Sequence, residues 1–264
     1  MAETSGNQAF VLVDEQGWRR GLNNLLRVGF QRWWNTRLWW SMSLMWVGII
    51  NLILAGVVFS PTSAGLPELA DLFGIFSGLF TTIAVVIIMQ DAIVSERDAG
   101  TAAWVMSKPV SRQAFILAKI IPNAFGFLIT MTVLPGLVAY FLIGFGTGDF
   151  FPISGFALAL LIIWLVQCFF MMLTLMLGTF FNSRGPVIGI PLALAFGQQI
   201  LLNFQFLIHI LPWSIYVPVG NNQSLIAALI TGQPPSDWMP LIVVVVCIFL
   251  FTILSIFQFG REEF

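Results

Sequence analysis

Residues 95–119 read SERDAGTAAWVMSKPVSRQAFILAK, the only long polar and charged passage between the hydrophobic blocks of the chain. Glu96, Arg97, Asp98, Lys108, Arg112 and Lys119 fall within it, and the segments on both sides are apolar enough to enter a bilayer. An acidic–basic–acidic triplet leads to Gly100 and Thr101. An apolar turn then runs from Ala102 to Met106, and Lys108-Pro109-Val110-Ser111-Arg112 follows. Gly100 permits a turn, Pro109 disfavours helix at Lys108, and Ser111 suits the cap of a helix that starts at Arg112. The passage predicts a short amphipathic helix bracketed by breakers and held between two apolar helices. Such an element can pass a push from a docked protein into both helices; a solvated loop that only satisfies topology is the alternative.

The rest of the chain sets the class. Of 264 residues, 58% are hydrophobic and 9% charged, with mean hydropathy +0.93. Soluble domains carry about 25% charged residues, so the composition predicts an all-α integral membrane protein with one membrane domain. A net charge of -1 gives no ground for a nucleic-acid partner. No GxxxxGK[ST] loop occurs, so the chain itself is not expected to hold ATP. Cys168 and Cys247 lie in apolar blocks, where a thiol acts as a small hydrophobe, and no Cys/His ligand spacing for a metal exists. No catalytic constellation stands out.

Residues 1–17 read as a mobile polar tail without the basic region and apolar core of a signal peptide. Residues 18–37, WRRGLNNLLRVGFQRWWNTR, read as a basic amphipathic helix. Trp18, Leu22, Leu25, Leu26 and Trp33 share one side, and Arg19, Arg20, Asn23, Asn24 and Arg27 the other. This pattern suits a helix lying in the membrane interface.

Residues 38–264 hold six blocks long enough to span, since a crossing helix needs about 20 mostly apolar residues. They run Leu38–Phe59, Leu72–Val94, Ala114–Ile143, Ser154–Phe180, Val187–Leu211 and Met239–Phe259. Pro122 and Pro135 predict a kink or break in the third. With both termini inside, all 11 Lys and Arg residues fall on the inner side, while Glu68, Asp71, Asp149 and Asp237 fall outside. The positive-inside rule therefore predicts a multi-pass protein of the plasma (cytoplasmic) membrane, with N- and C-termini cytoplasmic and the 95–113 loop facing the cytoplasm. The outer connection 212–238 includes Ser224–Ile230, apolar but too short to span. A re-entrant segment and a plain surface helix both fit.

Span five carries Gln198, Gln199, Asn203, Gln205 and His209, which fall on one side of a continuous helix. That side either lines a substrate path or joins helices and subunits. Asn51, Gln90 and Gln167 are isolated and read as packing residues. Gly74–Gly78 and Gly185–Gly189 match the GxxxG spacing that allows close helix contact. Trp33, Trp34, Trp39, Trp40 and Trp238 suit the interfacial belt. The near absence of charge within spans speaks against an ion-coupled carrier.

The 95–119 loop resembles that of the ABC-2 type family of ABC-transporter permeases. The family's loop runs Glu, Gly-Thr, Pro-Val-Ser-Arg and then a Gly-Lys pair. Here stand Glu96, Gly100-Thr101, Pro109-Val110-Ser111-Arg112 and Lys119, with Ala118 in place of the last Gly. The resemblance implies an export permease that works as a homo- or heterodimer with a second permease subunit. Each subunit would dock on a separate ABC ATPase, and that partner would hold ATP and magnesium. The loop would be the coupling element, through Glu96, Arg97, Gly100, Thr101, Lys108, Pro109, Ser111, Arg112 and Lys119. The helix with Trp18, Arg19, Arg20, Arg27 and Trp33 would lie on membrane lipid at the inner surface. Spans two and five would flank the path, which gives weight to Gln198, Gln205 and Asn203, and a re-entrant segment before span six is typical. A non-transporting anchor or scaffold subunit is the rival reading.

Overall fold

The computed structural model describes residues 17–60, 64–218 and 223–261, together with all their side chains but that of Gln205. The expected tail, apart from Gly17, lies outside the described residues. Every regular element among those residues is helical. In chain order they are α1 (Leu22–Trp34), α2 (Leu38–Val58), α3 (Leu66–Met89), α4 (Val94–Asp98), α5 (Thr101–Met106) and α6 (Arg112–Phe127). Then follow α7 (Leu134–Thr147), α8 (Ile153–Phe180), α9 (Arg184–Leu201), α10 (Gln205–Ile208), α11 (Leu225–Ile230) and α12 (Met239–Arg261).

Among the described residues, five helical runs are long and apolar enough to cross a membrane: Leu38–Val58, Leu66–Asp98, Arg112–Thr147, Ile153–Phe180 and Met239–Arg261. The second starts earlier than the apolar block suggests. Pro67 occupies the first turn of α3, and the Glu68 carboxylate accepts the Gly65 N–H at 3.3 Å. These are start signals that hydropathy alone reads as loop. The third run is 36 residues, about 54 Å at 1.5 Å per residue, and so outreaches a bilayer core of about 30 Å. Between Pro122 and Pro135 it takes a six-residue π-helical turn, Leu128–Val133. Pro135 has no N–H for the helical ladder, and the wider turn lies just before it.

The expected fifth span, Val187–Leu211, is not one helix. α9 stops at Leu201, and a turn at 202–204 separates it from the single-turn α10. The reason is local. The Asn203 amide donates to the Ile200 carbonyl at 2.9 Å, and the Asn203 N–H points to the same oxygen at 3.3 Å. Both compete with continuation of the helix.

The expected helix over 18–37 is also shorter. Gly17–Arg19 form a 3-10 turn, Gly21 takes a left-handed φ of 79°, and α1 starts only at Leu22. Trp18 and Trp33 therefore do not share one helix face. Trp18 is exposed and Trp33 is buried on α6. There its indole N–H donates to the Asn123 side-chain oxygen at 3.0 Å, and Gly126 makes room for the ring.

α8 is the central helix. Its most apolar stretch is 67% buried, against 28% for α2 and 17% for α12, which form the rim. Mid-height, a fully buried polar bridge ties α8 to its neighbours. Thr132 of the π-helical turn donates to the Gln167 carbonyl at 3.0 Å, and the Gln167 amide donates to Thr81 on α3 at 3.0 Å. Asn51 joins α2 to the Pro135 carbonyl at 3.2 Å. In apolar surroundings such bonds select partners where apolar contact alone does not. Gly74 faces Ile226 and Gly78 faces the Tyr216 ring, so this GxxxG pair seats α11 and Tyr216. Gly185 and Gly189 have no atom within 4 Å of an added Cβ.

Candidate functional site

The loop between α3 and α6 folds into two short helices joined at Gly100, whose left-handed φ of 69° turns the chain from α4 into α5. Thr101 secures the turn by donating its hydroxyl to the Glu96 carbonyl at 3.0 Å. Ser111 caps α6, accepting the Ala114 N–H at 3.0 Å. Glycine and serine thus carry out the local tasks that their chemistry predicts.

The inner face of the loop is tied to each structure that surrounds it. Glu96 forms an ion pair with Lys119 of α6, and both side chains are largely shielded, at 27% and 18% exposure. The polar chain continues through α6. The Asn123 amide donates to the Lys119 carbonyl at 2.7 Å, and the Asn123 oxygen accepts from Trp33 of α1. Arg97 reaches the end of α8, donating to the carbonyls of Gly178 at 3.3 Å and Phe181 at 3.2 Å and to Asn182 at 3.0 Å. A cation there also complements the helix C-terminus. The Ser111 N–H donates to the Arg20 carbonyl at 3.0 Å, its hydroxyl donates to the Trp18 carbonyl, and Arg112 donates to the Gly260 carbonyl of α12. Beside them Asp91 pairs with Arg184 at 3.3 Å.

The outer face has a different composition. Gly100, Thr101, Ala103, Trp104, Ser107, Lys108 and Pro109 are exposed. Trp104 is 62% exposed, and the Lys108 ammonium lies 3.3 Å from its ring centroid. An exposed aromatic with a cation stacked on it is the kind of anchor that protein interfaces use. Of the residues singled out from sequence, Glu96, Arg97, Ser111, Arg112 and Lys119 therefore point to the body. Lys108 and Pro109 point away from it.

Sequence reasoning missed Asn123, Asn182, Gly260 and the Asp91–Arg184 pair. Asn123 had a signal: it follows Lys119 by four residues and so shares its helical face. The others join segments far apart in sequence and had none.

The polar residues expected along span five do not form one stripe, because α9 ends between them. Gln198 is fully buried, and its carbonyl accepts the Trp213 N–H at 2.8 Å. Gln199 and Asn203 are exposed. His209 is exposed and contacts Asp237 at 2.6 Å. Some burial raises the Asp237 carboxyl, but hydrogen bonds from His209 and the Met239 N–H outweigh it and hold the group below its ordinary value. Gln205's side chain lies outside the described residues. Replacing Gln198 by Leu should cost about 1–3 kcal/mol, since it strands a buried N–H. A thermal melt reads that loss, and an unchanged melt with altered transport would instead mark Gln198 as a path residue.

At the opposite end Pro212–Ile215 and α11 enter the bundle. All six α11 residues are buried, and Ser224 caps the helix while donating to Asp71 at 2.6 Å. A Cβ on Gly155 would meet the Leu229 carbonyl at 2.1 Å, so α8 and the α11 backbone are in direct contact.

The family model described as ABC-2 family transporter protein matches residues 31–264. No curated protein matches the chain.

Proposed function

The chain belongs to the ABC-2 family of transporter proteins and is a multi-pass membrane transport subunit, and we propose that it is the permease of an ATP-driven exporter. The family implies association with ABC ATPases. On this reading the 95–113 loop is where such an ATPase grips. The carrying observation is the division of the loop into an outward face with Trp104 and Lys108 and an inward face bonded through Glu96, Arg97, Ser111 and Arg112 to α6, α8, α12 and the start of the chain. A load on the outer face reaches four parts of the body, three of them through charge-assisted bonds, the stronger kind, and the fourth through the neutral bonds of Ser111.

The finer assignments follow from the same reading. The loop end faces the cytoplasm, because every Lys and Arg belongs to α1 and its flanks, to the 95–119 passage, to the first residue of α9 or to the last of α12. α9 is a short fifth crossing, about 27 Å long, and Ser224–Ile230 is a re-entrant wedge from outside. α1 lies on lipid at the inner surface. A second permease subunit completes the path, facing Gln199 on the exposed side of α9 and Asn203 in the turn that follows it. ATP and magnesium belong to the ATPase, which separates and closes as the permease alternates; the two states must differ in affinity for the coupled ligand.

The test is purification of the tagged full chain from its native membrane. An ATPase subunit should accompany it, and Trp104→Ala with Lys108→Ala should reduce that yield by about tenfold, as losing an interface anchor does. A pull-down without any nucleotide-binding subunit would leave the scaffold reading in its place.

A further inference from the structure

Beside the Glu96–Lys119 pair lies a cleft of about 200 Å³ between α1, α5 and α6. Its lining mixes two chemistries. Val28, Val105 and Phe115 supply apolar surface, and Arg32, Lys119 and Glu96 supply charge. Glu96 is engaged by Lys119, so the uncompensated charge of the cleft is that of Arg32. The Arg32 side chain is exposed and has no hydrogen-bond or ion-pair partner among the described residues. It stands in the last turn of α1, close in sequence to Trp34, Trp39 and Trp40. Trp39 packs against Trp34 and Trp40, each at 5.8 Å. Such a cluster of Trp and Arg marks headgroup depth.

We infer that this cleft is a specific site for an anionic phospholipid of the inner leaflet. The lipid phosphate sits on the Arg32 guanidinium, whose planar fork matches two phosphate oxygens. The start of one acyl chain lies along Val28 and Val105. Lys119 is the second cation in reach, so the phosphate competes with Glu96 for it. Lipid charge would thereby loosen or tighten the tie between the 95–113 loop and α6. The inference rests on the reading that α1 lies at the inner bilayer surface.

The experiment uses the full chain with its co-purifying ATPase in nanodiscs of phosphatidylcholine. These carry a trace of diazirine-bearing phosphatidylglycerol or, in parallel, diazirine-bearing phosphatidylcholine. After illumination, adducts are mapped by peptide mass spectrometry. The anionic probe should label peptides containing Val28 or Val105 about tenfold more than the zwitterionic one, as expected for a charged hydrogen bond. R32Q should bring the anionic probe down to the zwitterionic level, and R32K should retain most of the label. V28D, with Arg32 intact, should also lose it by placing a carboxylate at the mouth. Equal labelling by both probes, wild-type labelling of R32Q, or displacement of the lipid by inorganic phosphate would each overturn the site. Orientation is scored apart from this. Ser107→Cys reacting with an impermeant maleimide from outside would remove the parent reading without touching the adduct.

Discussion

Glu96→Gln is expected to abolish most ATP-driven export while leaving the ATPase bound. The substitution removes the anionic half of a shielded ion pair and strands the Lys119 ammonium at 18% exposure. Breaking one side of a buried pair costs 3–5 kcal/mol, and partial access to solvent reduces this to about 2 kcal/mol here. The loss falls on the loop's attachment to α6, not on the outward Trp104–Lys108 face, so docking should persist and transmission should fail. Transport into inverted vesicles should drop by at least about tenfold, the ratio that such an energy implies. Lys119→Gln should behave alike, and the exchange Glu96→Lys with Lys119→Glu should restore a substantial part. If Glu96→Gln transports at the wild-type rate, the loop's load does not run through this pair.

Gly155→Ala carries the largest expected cost in stability. The new methyl would stand 2.1 Å from the Leu229 carbonyl, and that atom is backbone, not the end of a flexible side chain. α11 has all six residues buried and is pinned by Ser224 to Asp71, so it has little freedom to withdraw. Overpacking costs about 1–3 kcal/mol, and a backbone obstacle places this site at the upper end. The thermal midpoint should fall, and proteolysis should open the 225–230 segment. Gly185→Ala is the matched control, since nothing lies within 4 Å of its added Cβ. It should be neutral or gain up to about 1 kcal/mol in helix propensity. Equal melts for the two variants would mean that α11 is not wedged against α8.

Much of this architecture is visible in the residues. Hydropathy finds the long helices because their length and apolarity are local properties. Gly100 and Ser111 are legible for the same reason, since each satisfies a backbone demand set by its neighbours. Span five was misjudged because the pattern of Gln198, Gln199, Asn203, Gln205 and His209 presumes an unbroken helix. The Asn203 side chain instead turns on the Ile200 carbonyl. Trp33 was misplaced for a tertiary reason. Its hydrophobicity equally suits lipid, and only Gly126 and Asn123, about ninety residues away, make a better seat. Arg97's anchorage at Gly178, Phe181 and Asn182 is likewise a property of the folded chain alone.

The bridge of Thr132, Gln167 and Thr81 has a consequence for motion. Separating α3 from α8 would strand these groups in a medium with no water to take their place. The two helices and the wide turn of the third run must then travel together as a keel. Whatever opens and shuts has to do so outboard of that keel, among helices the bridge does not tie.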